Sequence, residues 1–200
     1  MTTNTISQAG RMQTHGIPND MLPNINSFTV IVFLPLTTQL LYPFLRRYRI
    51  EFPPLARISL GFFLESLGMA WAAVVQYWIY HSGPCYFHPR ACSESLNGAL
   101  PNGVNVALQI PIYFLEGIGE IFASPAGWEY AFTIAPKSMK SVLQAIFAMT
   151  AAGGSVFSLA LSPTYKDPNL LGMYAGLAGA MFVTALLVII LFVLRNKTTK

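Results

Sequence analysis

The stretch QIPIYFLEGIGEIFASPAGWEYAF, residues 109–132, decides how the whole chain is read. Its apolar length suits a bilayer crossing, which takes roughly 17–25 mainly apolar residues, yet Glu116 and Glu120 fall near its middle. An acidic residue at the centre of a membrane helix costs about 2.5–3.5 kcal/mol on insertion scales. Positions three and four apart share a helical face, which puts Gln109, Tyr113, Glu116, Glu120 and Ser124 on one polar strip and leaves Ile110, Phe114, Ile121 and Phe122 off it. Such a strip faces other helices or water rather than lipid. Each carboxylate then either bonds to a neighbouring helix as polar glue or lines a wet pathway where it binds a cation or carries a proton. Pro125 and Gly127 add a kink if the helix runs on to about residue 133, which keeps Glu120 at the midplane. If the helix stops at Pro125, Glu120 lies near one mouth instead.

The rest of the chain agrees with a bilayer. Of 200 residues, 54% are hydrophobic and 10% charged, against about 25% charge in a soluble domain, and the mean hydropathy is +0.49. Five runs reach spanning length, at 27–45, 56–80, 104–133, 136–160 and 171–194, so the expected fold is an all-α membrane protein. Residues 1–26 form a polar amino-terminal segment, 27–194 the helical domain and 195–200 a tail. If successive spans alternate in direction, one side of the membrane receives nine basic residues: Arg46, Arg47, Arg49, Arg57, Lys137, Lys140, Arg195, Lys197 and Lys200. The other side receives three: Arg11, Arg90 and Lys166. By the positive-inside rule the carboxyl terminus and the loops after the first and third spans are cytoplasmic.

The net charge of +4 does not indicate nucleic acid, because the basic residues neither cluster on one soluble face nor interleave with exposed aromatics. No nucleophile–base pair, phosphate-cradling glycine loop or metal-ligand spacing appears, which argues against a soluble enzyme and against a cofactor or metal. Cys85 and Cys92, seven positions apart with His88 between them, lie in the outer loop of about 81–103, where an oxidising compartment permits a disulfide without requiring one. The opening segment, MTTNTISQAGRMQTHGIPND, has no secretory signal and reads either as a polar tail or as the remnant of a further helix. Asn24, Asn26 and Ser27 stand at the outer end of the first span, suited either to capping the helix or to meeting a substrate's polar groups. Gly172, Gly176 and Ala180, at intervals of four in the last span, read as a ridge for close helix packing. Glu65, in the second span, has no acidic neighbour in the sequence pattern.

Three segments carry a resemblance. YPFLRRYRIEFPPLARISLGFF, QIPIYFLEGIGEIFASPAGWEYAF and APKSMKSVLQAIFAMTAAGGSV are similar to the junction of the eighth and ninth helices, the tenth helix and the start of the eleventh helix of the proton-dependent oligopeptide transporters, a branch of the major facilitator superfamily, and most nearly its fungal members. The resemblance implies a partial major facilitator fold, about five helices of the carboxy-terminal bundle, and proton-coupled symport of di- and tripeptides across the plasma membrane. It implies that Glu120, in the Gly119-Glu120 pair, faces the substrate's terminal amine, that Asn26 meets its backbone groups, and that Tyr113 and Phe147 are pocket walls. Ser27 stands where the family often has proline, Phe147 where it commonly has tryptophan, and Glu116 where it usually has an apolar residue. MTTNTISQAG looks like the outer end of a seventh helix, so Met1 reads as an internal methionine of a longer ancestor and an amino-terminal bundle as missing. The alternative expectation is a non-transporting membrane protein, either a truncated gene product or a fragment that associates with another chain.

Overall fold

In the computed structural model the described residues are 2–14, 16, 18–49, 52–89, 92–96, 100–136, 138–165 and 167–198. Four of the basic residues in the charge reading, Arg90, Lys137, Lys166 and Lys200, lie outside them, as does Met1.

The chain forms α1 (Thr2–Ala9), α2 (Asn24–Leu36), α3 (Tyr42–Arg47), α4 (Pro54–His81), α5 (Ile110–Ile134), α6 (Lys140–Ala160) and α7 (Leu170–Thr198). A π-helical turn, Thr37–Leu41, joins α2 to α3 without a break, so the five long apolar stretches are Asn19–Arg47, Pro54–His81, Val106–Ile134, Lys140–Ala160 and Leu170–Leu194. Each is long and apolar enough to cross a membrane. The helix wall loosens after Pro35, which has no N–H to give and therefore frees a carbonyl one turn earlier. Thr38 follows on the same turn, its hydroxyl donating to the Leu34 carbonyl at 3.0 Å and the Pro35 carbonyl at 3.2 Å.

α4 is the central helix, with α7 along one side and α5 along another; α2 packs on α5, and among the described residues α6 leans mainly on α5. Two hydroxyls stitch α4 to α7, Ser66 to the Ala178 carbonyl at 2.8 Å and Ser59 to the Ala185 carbonyl at 3.0 Å. Small residues set the α4–α5 crossing. A methyl group on Gly61 would meet Ala123 Cβ at 2.6 Å, and one on Gly119 would meet Glu65 Cγ at 2.9 Å. The ridge expected at Gly172, Gly176 and Ala180 does not serve this purpose: nothing approaches either glycine within 4 Å. These three residues line an open groove beside α6, and α7 buries the opposite set, Leu170, Met173, Tyr174, Ala178 and Ala185.

The core lies at one end of the bundle, where the end of α4 (Met69, Ala72, Val75, Ile79), the start of α5 (Ile112, Tyr113) and the start of α7 meet Ala9 and Met12. The polar amino-terminal segment is thus no free tail. Gln8 is fully buried and donates to the Ala72 carbonyl and to Gln76 Oε1, both at 3.0 Å. Gln13 and Val104 to Val106 pair through two backbone hydrogen bonds, fixing the segment against the entry to α5. Arg11 Nε bonds Asp167 Oδ2 at 2.8 Å, and Tyr80 donates to Asp167 Oδ1 at 2.6 Å, tying α1, α4 and the α6–α7 turn together. In the long loop after α4, Cys85 and Cys92 form a disulfide. Asn102, fully buried, organises that loop by donating to the Ile79 and Tyr86 carbonyls and accepting from the Cys85 N–H.

Candidate functional site

α5 runs unbroken through Pro125 to Ile134, so Glu120 sits near the middle of the helix rather than at its mouth. Its side chain is exposed, on the face that turns toward α2. Asn26 Nδ2 donates to Glu120 Oε2 at 3.3 Å across a sequence separation of 94. The helix-capping role open to the asparagines is not the one taken, since α2 has no side-chain capping bond. Asn26 is held in place by Gly117, where a methyl group would meet Asn26 Oδ1 at 2.7 Å and Thr29 Cβ at 2.9 Å. The Asn26 Oδ1 atom is buried against this glycine with no hydrogen-bond partner among the described residues.

Two further carboxylates lie within electrostatic range. Glu116 is one turn before Glu120 and half-buried, and Glu65 reaches across from α4. The expectation of an isolated Glu65 is therefore corrected: the α4–α5 crossing at Gly61 and Gly119 brings its stem against α5 beside the other two acids. Its signal in the sequence was the helical step from Gly61 to Glu65, which places a small residue and an acid on one face. Ser124, one turn beyond Glu120, is exposed on the same strip.

The other expected members of the strip go elsewhere. Gln109 lies in a 3₁₀ turn, Val106–Gln109, that precedes α5, so the helical period that aligned it with Glu116 does not extend to it. It is fully buried and donates to the Thr5 carbonyl at 3.0 Å and to Gln8 Oε1 at 2.9 Å. Tyr113 is also fully buried, in the hydrophobic cluster with its hydroxyl turned toward Thr5, and lines no open face. Phe147, half-buried on α6, rests on Gly127, where a methyl group would meet its ring at 2.6 Å, and stacks edge-on against Trp128 with centroids 4.8 Å apart. That aromatic pair stands about 10 Å along α5 from Glu120, at 1.5 Å per residue.

The structure thus brings together Asn26, Glu65, Glu116 and Glu120, with Ser124 next in line, and separates Gln109, Tyr113 and Phe147 from them. An exposed carboxylate steadied by an amide can pair with a ligand ammonium group.

The comparisons agree with the residues. A profile described as PTR2, POT family, matches residues 1–190. The chain is 45% identical over 192 residues to the peptide transporter PTR_A of Candidozyma auris, covering 96% of this chain and 32% of that protein. It is 42% identical over 198 residues to the peptide transporter PTR2 of Saccharomyces cerevisiae, covering 99% of this chain and 32% of that protein. The crystal structure of the POT family transporter PepTSo overlaps 98% of this chain and 38% of its own with a TM-score of 0.74, at 18% identity, a likeness of fold. The chain spans about a third of the length of the curated relatives it matches.

Proposed function

This chain belongs to the POT family, and from that premise we propose that it forms the carboxy-terminal helices of a proton-coupled transporter of di- and tripeptides. In this reading Glu120 pairs with the peptide's terminal ammonium group and Asn26 with its backbone. Glu116, Glu65 and Ser124 extend the polar face along which a proton or peptide passes, and Phe147 with Trp128 forms an aromatic wall farther along α5. The membrane is the plasma membrane, with the carboxyl terminus in the cytoplasm.

One observation carries the reading: Asn26, in the first turn of α2, meets the exposed mid-helix Glu120 of α5 at 3.3 Å, although each would be expensive to present to lipid. Uptake of a labelled dipeptide tests it in cells expressing the chain alone and together with the amino-terminal bundle of a related transporter. Acid-stimulated uptake is expected in the paired arm, and Glu120→Gln there should lower it about tenfold to a hundredfold, the worth of a hydrogen bond to a charged group. Unchanged uptake in the variant would refute the role of Glu120.

The second reading, a chain that does not transport unaided, is favoured by the 32% share of the relatives that it covers. Uptake in the paired arm and none in the solitary arm would support it; robust acid-stimulated uptake by the chain alone would exclude it.

A further inference from the structure

The end of the bundle opposite the buried core holds a cavity of about 690 Å³, bounded by α3, the turn into α4 and the far end of α5. Among the described residues its charged lining is Arg46, Arg49, Arg57 and Glu129, three guanidiniums and one carboxylate. Arg57 is fixed in place. Its Nε donates to the Phe52 carbonyl and its Nη1 to Glu129, each at 2.9 Å, and its guanidinium lies 4.7 Å from the centre of the Tyr42 ring. Arg46 and Arg49 are exposed, and neither side chain has a hydrogen bond or ion pair among the described residues. Arg49 also has a φ of 55°, the left-handed conformation in which glycine or asparagine is the less strained choice at the end of a helix.

The depth of the cavity narrows the ligand. Arg47 closes the first long apolar stretch and Pro54 opens the second, so the lining lies where hydrocarbon gives way to lipid headgroups. Guanidinium groups match phosphate oxygens in two-pronged geometry, and basic pockets between membrane helices hold phosphorylated headgroups. The volume is within the roughly 300–1,000 Å³ range of small-molecule sites. We propose that this cavity binds a phosphate group with at most one ester link, held by Arg46 and Arg49 against the anchored Arg57, and supplied either by the headgroup of an anionic lipid such as phosphatidic acid or by free phosphate.

The full chain in nanodiscs tests this without reference to transport. Both faces are accessible there, so failure of the site is distinct from failure of the orientation or of the peptide reading. Native mass spectrometry would compare retention of phosphatidic acid, phosphatidylserine and phosphatidylcholine, and isothermal titration would measure inorganic phosphate. Phosphatidic acid should be retained over the other two, and Arg46→Gln with Arg49→Gln should weaken it about tenfold or more. Arg47→Gln, one position from the lining, should leave retention unchanged, and equal helicity by circular dichroism verifies that the double variant is folded. Retention of phosphatidic acid that inorganic phosphate does not displace assigns the site to lipid; saturable phosphate binding lost in the double variant assigns it to the free anion. Equal retention of all three lipids with no phosphate binding, or a double variant that binds as the parent does, would overturn the proposal.

Discussion

Asn26 reaches Glu120 because Gly117 leaves room for it. A methyl group at position 117 would stand 2.7 Å from Asn26 Oδ1, and the only relief is movement of Asn26 or separation of α2 from α5. Gly117→Ala should therefore lower stability by about 1–3 kcal/mol, the cost of overpacking a tight contact, read as a lower thermal midpoint in detergent. It should also reduce peptide uptake by the paired bundles in the same direction as Glu120→Gln. A stable variant with normal uptake would show that the 3.3 Å contact is incidental. Gln109 makes the opposite prediction. Its amide bridges Thr5 and Gln8 in a fully buried setting, so Gln109→Leu removes the donor to the buried Gln8 Oε1 and should cost about 1–3 kcal/mol. Peptide affinity, measured on the folded fraction, should stay unchanged, because Gln109 does not adjoin Glu120 as its spacing had suggested.

At the scale of elements, the long helices were legible because hydropathy is a property of local composition: each run that crosses the membrane does so on its own residues. Glu120 and Asn26 stood out as polar groups in apolar runs, and the structure adds that their side chains meet. What could not be read was set by the meeting of distant segments. Tyr113 and Gln109 share a sequence period with Glu116, but α1 folds over the start of α5 and buries them. Glu65 had no acidic neighbour within its own helix and acquired two only through the crossing at Gly61 and Gly119. The small-residue ridge of α7 was a true pattern on the uncovered face. The loop after α4 falls between these cases. Its cysteine pair was visible, its bonding was not, and Asn102 gathers three backbone groups with no signal in the sequence at all. Cys85→Ser with Cys92→Ser should lower the thermal midpoint by the equivalent of about 2–3 kcal/mol, as expected for so short a closed loop. Because Asn102 still holds the loop, the helical content by circular dichroism should not change, and a collapse of helicity would show that the disulfide maintains the fold rather than the loop.

Across the whole molecule, the charges of the described residues are sorted by end. The end bearing the core and the disulfide has Arg11 neutralised by Asp167 at 2.8 Å, whereas the other end presents Arg46, Arg47 and Arg49 as exposed side chains and pairs Arg57 with a half-exposed Glu129. Translocating unpaired guanidiniums against the membrane potential is costly, about 2.3 kcal/mol for each charge per 100 mV, which supports the proposed orientation with the basic end in the cytoplasm. The disulfide supports the same proposed orientation, since an oxidising exterior favours the bond between Cys85 and Cys92. These two arguments use different residues and different physics, and they agree. An epitope inserted between Tyr86 and Phe87, both exposed, should bind antibody on intact cells. An epitope replacing Arg47, at the end of α3, should bind only after permeabilisation. The reverse pattern would overturn the orientation and would turn the Arg46, Arg49 and Arg57 cavity toward the outer leaflet.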